Sequence, residues 1–79
     1  MEMITTEQLA RHMAFVAQLT EQQAFSAIQA MSSTILVEIS NGRAVELRGF
    51  GLFELGQRTD GSNGIRFRQH NLVREALNS

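Results

Sequence analysis

The sequence predicts an α+β domain with the element order α-α-β-β-β-α. Apolar residues recur every three or four positions up to about residue 40, a spacing typical of amphipathic helices. Asn41 and Gly42 then form a helix stop signal, after which apolar residues alternate with polar ones, as in half-buried strands. An Asp-Gly pair and an Asn-Gly pair between residues 60 and 64 predict a turn between two strands. With 79 residues, the chain is expected to form a single domain over residues 1–79.

Two helices are predicted over residues 1–42, where they form a helical hairpin. Thr5 and Gln8 have the spacing of a capping box at the start of the first helix. Thr20 and Gln23 repeat that spacing at the start of the second helix, which is expected to continue to about residue 40.

The second helix has an apolar arc about 140° wide, whereas one packing partner needs only about 100°. A chain of this size buries only about 60–65% of its unfolded surface, and this one has no cysteine for disulfides. Two interpretations remain open: a well-buried helix in a compact monomer, and a helix that also packs on a second copy of the chain. We favour the second.

A three-stranded sheet is predicted over residues 43–70. Gly49-Phe50-Gly51 is expected to form a tight hairpin connection in which both glycines supply conformational freedom and Phe50 folds toward the core. The alternative is a bulge within one long strand. The last strand, "IRFR", places Ile65 inward, and a short terminal helix is expected over residues 71–79 with Asn71 as its N-cap.

The segment "VELRGFGLFEL", residues 45–55, resembles the bacterial HU / integration host factor family of nucleoid proteins. The resemblance continues upstream at Leu19-Thr20 and downstream at "FRQHNLVREALN", residues 67–78, so that it covers nearly the whole chain. The other matching positions are Ala24, Ala27, Ile35 and Gly42.

The resemblance implies an intertwined dimer in which the long helices pack together under two sheets. The partner is an identical chain or an HU-type relative, and the expected location is the nucleoid of a bacterial cytoplasm. All five phenylalanines are expected in the core, which leaves none to stack on bases. The residues assigned to the core or the dimer contact are Phe25, Ile28, Met31, Ile35, Ile39, Leu47, Phe50, Phe53 and Phe67.

The chain departs from the family pattern in its arms. In the family, the second and third strands extend into a long ribbon that wraps DNA and wedges a proline between base pairs. Here residues 56–64 read "GQRTDGSNG" and the chain contains no proline, so we expect truncated arms and assign no wedge. A glycine that usually separates the first two helices is replaced by Gln18, which predicts a differently built or strained turn.

The charge is unevenly distributed along a chain whose net charge is −1. Residues 1–42 hold one arginine against four glutamates, and residues 43–79 hold six arginines against four acidic residues. Strand alternation places Glu46 and Glu54 on the outward face together with the candidate DNA contacts, which are Arg48, Arg58, Arg66 and Arg68. The alternative is a solvated sheet with Arg–Glu pairs worth about 0.2–1 kcal/mol each.

Other function classes find no support in the sequence. The serines have no histidine or acid at a suggestive spacing, and His12 and His70 are isolated, so we expect no enzyme, cofactor, metal or small-molecule substrate. The acidic start and the lack of a long apolar run predict a cytoplasmic protein without a membrane partner. Two hypotheses remain: an arm-less HU-like dimer that binds duplex DNA weakly and non-specifically, and a dimerisation module that pairs with a full-length HU-type protein without binding DNA.

Overall fold

The structure, a computed structural model, describes residues 2–78, and it confirms the predicted order of three helices and three strands. The elements are α1 (Thr6–Ala17), α2 (Glu21–Ser40), β1 (Val45–Leu47), β2 (Gly51–Gln57), β3 (Asn63–Gln69) and α3 (Asn71–Leu77). The chain divides into two compact units, of which the first ends at Thr34 and the second begins at Ile35.

Both predicted capping boxes are present. The backbone N–H of Gln8 donates to the Thr5 hydroxyl at 3.2 Å, and the Thr5 N–H donates to the Gln8 side chain at 2.9 Å. The same exchange joins Thr20 and Gln23 at 3.0 and 2.9 Å. These bonds satisfy backbone donors that have no partner within the helix, so the two helices begin where the sequence predicts.

Gln18 ends α1 in the left-handed conformation, with φ of 57° and ψ of 46°. It is the one residue other than glycine with a positive φ among residues 2–78. Its N–H and that of Leu19 both donate to the carbonyl of Ala14, a bonding pattern that closes the last turn. Of the two alternatives predicted at this position, a differently built turn and a strained one, the structure has the strained one, because a side chain with a Cβ is disfavoured there.

Replacing Gln18 with glycine is expected to stabilise the protein by about 0.5–1 kcal/mol, since relief of left-handed strain exceeds the added entropy of the unfolded chain. Urea denaturation followed by circular dichroism measures this change. The matched control is Gln22→Gly in the first turn of α2, where the same substitution should lower stability by about 0.5 kcal/mol or more. Equal losses in both variants would contradict the assignment of strain to Gln18.

The first unit has a small core of alanines. Ala10, Ala14 and Ala24 are buried, and the half-buried side chains that pack on them are Met13, Phe25 and Ile28. Alanine at these positions lets two helices approach closely. Phe15 lies outside this core with 88% of its surface exposed, so the expectation that all five phenylalanines are internal is wrong for a single chain.

The second unit contains an antiparallel sheet with strand order β1-β2-β3. Val45 is paired with Phe53, and Phe53 is paired with Phe67, so one face of the sheet is apolar. The rings of Phe53 and Phe67 lie 4.9 Å apart, and those of Phe50 and Phe67 lie 5.2 Å apart. This aromatic cluster lies on the opposite face from the arginines of β3, as the strand alternation predicts.

Two local predictions in this unit are wrong. Gly49 has a positive φ of 75°, as the hairpin needs, but Gly51 is a buried member of β2. Glycine fits this position because the ring of Phe67 and the carbonyl of Arg68 occupy the space that a side chain on residue 51 would fill. At α3, the N-cap is His70 rather than Asn71, and no side chain donates or accepts a capping hydrogen bond there.

The nine residues assigned to the core or dimer contact differ in exposure within a single chain. Ile35 and Ile39 are buried, whereas Met31, Phe50 and Phe67 are each more than two-fifths exposed. The half-buried members are Phe25, Ile28, Leu47 and Phe53.

In the described part of the chain, no helix has the length and apolar character needed to cross a bilayer.

Candidate nucleic-acid interface

One face of the sheet is charged, and we call it the polar face. It consists of the side chains that point away from the aromatic cluster: Glu46, Leu52, Glu54, Arg66 and Arg68, with Gly56 and Gly64 in register. Arg48 and Arg58 lie in the turns that follow β1 and β2. The strand register thus brings Arg66 and Arg68 to one face of the sheet, and Arg48 and Arg58 lie in the turns next to it.

The centre of the polar face is a cluster of one carboxylate and two guanidinium groups. Glu54 on β2 is paired in register with Arg66 on β3, and Arg68 is paired with the neighbouring Leu52. The distance from Glu54 Oε2 is 2.7 Å to Arg68 Nε and 3.5 Å to Arg66 Nε. Both arginines therefore share a single carboxylate oxygen.

The carboxylate of this cluster is more enclosed than its partners. The Glu54 side chain is 21% exposed, whereas those of Arg66 and Arg68 are 62% and 63% exposed. Glu54 Oε2 is shielded from solvent and accepts no hydrogen bond within residues 2–78, so its contacts with the guanidinium groups are ion pairs without hydrogen-bond geometry. The two guanidinium groups therefore face solvent, and the more enclosed carboxylate of Glu54 compensates part of their charge.

Arg58 lies at the tip of the β2–β3 hairpin. Its N–H donates to the carbonyl of Ser62 at 2.7 Å, which closes a connection of five residues, 58–62. Its side chain lies against Gly64 and lines a shallow cleft together with Arg66. Arg58 makes no ion pair with any residue between 2 and 78, although the carboxylate of Asp60 belongs to the same turn.

Asp60 adds a negative charge to the same turn. Its carboxylate accepts a hydrogen bond from the Ser62 hydroxyl at 2.6 Å and another from the Ser62 N–H at 2.9 Å. These two bonds hold the pKa of Asp60 below its usual value, because they favour the charged form. Asp60 thus acts as a turn former that remains ionised at neutral pH.

Arg48 lies at the other end of the polar face, where it lines a cleft with Glu46 and His70. Glu46 Oε2 lies 3.4 Å from His70 Nε2, an ion pair only when the imidazole is protonated. Arg48 itself has no carboxylate partner within the described chain. The two ends of the face therefore each carry an arginine that is free to contact an anion.

The dimensions of the polar face suit a nucleic-acid backbone. A seven-residue strand is about 23 Å long, and duplex DNA carries a negative charge about every 1.7 Å of its axis. Two arginines on β3 and one in each of the two neighbouring turns can contact several phosphates. Nowhere in residues 2–78 do three His, Asp or Glu side chains converge in a way that could hold a metal ion.

Sequence reasoning found the arginines and included Arg–Glu pairs as an alternative, but it did not predict that two arginines share one oxygen of Glu54. The signal was present in the sequence: an Arg-x-Arg pattern on one strand, opposite a glutamate on the preceding strand. Converting this pattern into a contact requires the hairpin register, which follows from the length of the turn.

Comparisons with known proteins point in the same direction. A family model described as bacterial DNA-binding protein matches residues 4–68. An HU–DNA cocrystal structure from Anabaena is 26% identical in sequence, with a TM-score of 0.80 over 92% of this chain and 96% of that one. An HU point mutant from Thermotoga maritima is 19% identical, with a TM-score of 0.79 over 92% and 97% of the two chains. No curated protein matches the chain.

Proposed function

The chain belongs to the bacterial DNA-binding protein family, the HU family, and from this premise we propose that it is a dimeric, nucleoid-associated protein that binds duplex DNA weakly and without sequence preference. The observation that carries the proposal is the polar face with the two turns beside it, which together hold four arginines, two glutamates and one aspartate. Its contacts would be to phosphates, which position a protein on DNA without reading sequence.

Two features support weak binding. The short connection over residues 58–62 closes in an ordinary turn, which supports a chain without the long arms that wrap a duplex or insert a wedge. Glu54 compensates part of the charge of Arg66 and Arg68, which leaves Arg48 and Arg58 as the arginines without an ionic partner in the described part of the sheet. Few phosphates are then neutralised, so the affinity is low and its dependence on salt is shallower than that of a protein with many phosphate contacts.

A dimer is proposed because a single chain leaves large apolar side chains uncovered. Met31, Phe50, Leu55, Ile65 and Phe67 are each 41–53% exposed. A second copy that covers these residues would supply the apolar burial that a chain of this length lacks. Doubling the chain would also double the number of arginines available to one duplex.

The direct test is fluorescence anisotropy of a labelled mixed-sequence duplex, titrated at several salt concentrations. We expect binding whose logarithm falls linearly with the logarithm of the salt concentration, with a slope between about −2 and −4 for two to four phosphates neutralised per dimer. Absence of binding at the lowest salt concentration would reject the function.

Arg58→Gln is expected to weaken binding and to make this slope shallower by about 0.9 for each phosphate that is no longer neutralised. A dimer has two copies of Arg58, so the slope should change by about 1.8 in total. The control is Arg11→Gln, which removes the same charge from α1, where Arg11 pairs with Glu21 at 3.6 Å. Equal effects of the two substitutions would show that net charge, and not the polar face, determines the affinity.

A second candidate function is a dimerisation module that pairs with a full-length HU-type protein and does not itself bind DNA. The compensation of two arginines by Glu54 favours this alternative, as does the net charge of −1. Co-expression with an HU protein followed by native mass spectrometry distinguishes the two. A heterodimer, combined with no DNA binding by the isolated chain, would select the module.

A further inference from the structure

We propose that Glu54 sets the DNA affinity of the polar face by competing with phosphate for Arg66 and Arg68. The inference rests on the DNA-binding function proposed above and adds a residue that limits it. One oxygen of Glu54, Oε2, lies 2.7 Å from Arg68 Nε and 3.5 Å from Arg66 Nε, so it already contacts both guanidinium groups that a phosphate would need.

The enclosure of Glu54 makes this competition effective. A fully hydrated glutamate could exchange its arginine partner for water at little cost, but Glu54 Oε2 is shielded from solvent and accepts no hydrogen bond from the described residues. If both arginines turned toward phosphates, this oxygen would lose its two compensating cations in a poorly hydrated position. DNA therefore gains two contacts only by leaving a carboxylate uncompensated.

The second glutamate of the polar face lacks this property. The side chain of Glu46 is 63% exposed, and the ring nitrogen that lies 3.4 Å from it belongs to His70 and not to an arginine. Removing the charge of Glu46 takes the same negative charge from the same face and releases no guanidinium group. Glu46→Gln is consequently a matched control for Glu54→Gln.

The experiment is an anisotropy titration of the wild type, Glu54→Gln and Glu46→Gln with the same mixed-sequence duplex. We expect Glu54→Gln to bind about tenfold more tightly near 50 mM salt, with a slope steeper by about 0.9 for each additional phosphate engaged. Glu46→Gln should increase the affinity by a smaller factor and leave the slope unchanged. Equal gains in the two variants, or no gain in Glu54→Gln when the wild type binds, would overturn the inference.

The outcomes separate this inference from the function on which it rests. If the wild type fails to bind and Glu54→Gln binds with a steep slope, the proposed function is wrong and the role of Glu54 is supported. If neither binds, both are rejected.

A second measurement on the wild type does not depend on the folding of a variant. Carbon-detected NMR of the Glu54 side-chain carboxyl, recorded while duplex is added, reports directly on its ion pairs. The resonance should shift as Arg66 and Arg68 turn to phosphate, while that of Glu75 on α3 stays in place. A Glu54 resonance unchanged at saturating duplex would overturn the inference.

Discussion

Replacing Gly51 with alanine is expected to destabilise the folded protein by about 3 kcal/mol, from a total of roughly 4–12 kcal/mol for a chain of this length. A Cβ at this position would lie 2.5 Å from Cζ of the Phe67 ring and 2.7 Å from the backbone carbonyl of Arg68. The ring could shift at some cost in packing, but the carbonyl belongs to the paired strand and cannot move without distorting the sheet. Urea denaturation at fixed protein concentration measures the destabilisation.

Gly49→Ala is the matched control, since it makes the same change two residues earlier. A Cβ on Gly49 would meet nothing within 4 Å, so the only cost is the positive φ of 75°. We expect a destabilisation of about 1 kcal/mol, from left-handed strain partly offset by the reduced entropy of the unfolded chain. Similar values at the two positions would show that backbone conformation, and not contact with Phe67, explains both glycines.

These glycines illustrate what could be predicted from the sequence and what could not. The conformation of Gly49 depends on neighbouring residues in a hairpin turn, and turn chemistry predicts it. The role of Gly51 depends on a ring from the next strand, which no local pattern shows. The same distinction separates the capping boxes at Thr5 and Thr20, which are local and were predicted, from the exposure of Phe15, which depends on what the rest of the chain covers.

The candidate site follows the same rule. Strand alternation predicted that Arg66 and Arg68 share a face, because side-chain direction has a period of two and needs no knowledge of the partner strand. Their shared ion pair with Glu54 depends on register across the β2–β3 hairpin, where Glu54 is opposite Arg66. The sequence therefore predicts where the arginines lie. How much of their charge a carboxylate compensates depends on pairing between strands.

Replacing Phe50 with aspartate is expected to dissociate the proposed dimer and to unfold much of the protein at micromolar concentration. Within a single chain Phe50 is 49% exposed, although its backbone is fixed: its N–H donates to Leu47, and its carbonyl accepts from His70, both at 2.9 Å. Its ring lies 5.2 Å from that of the exposed Phe67, so it belongs to an apolar patch, and such patches are typical of interfaces. A charge buried there without a partner costs several kcal/mol, more than a domain this small can lose.

Phe15→Asp is the matched control, because Phe15 is 88% exposed and has no ring partner within residues 2–78. It should cost about 1 kcal/mol or less, since a charge on an exposed helix residue remains hydrated. Sedimentation velocity gives the association state, and the dependence of the thermal midpoint on protein concentration reports the same equilibrium.

If Phe50 were covered only by Phe67 of its own chain, the aspartate would cost about 2 kcal/mol, because apolar burial and ring packing would both be reduced. A Phe50→Asp protein that stays dimeric with so small a destabilisation would place the subunit interface elsewhere.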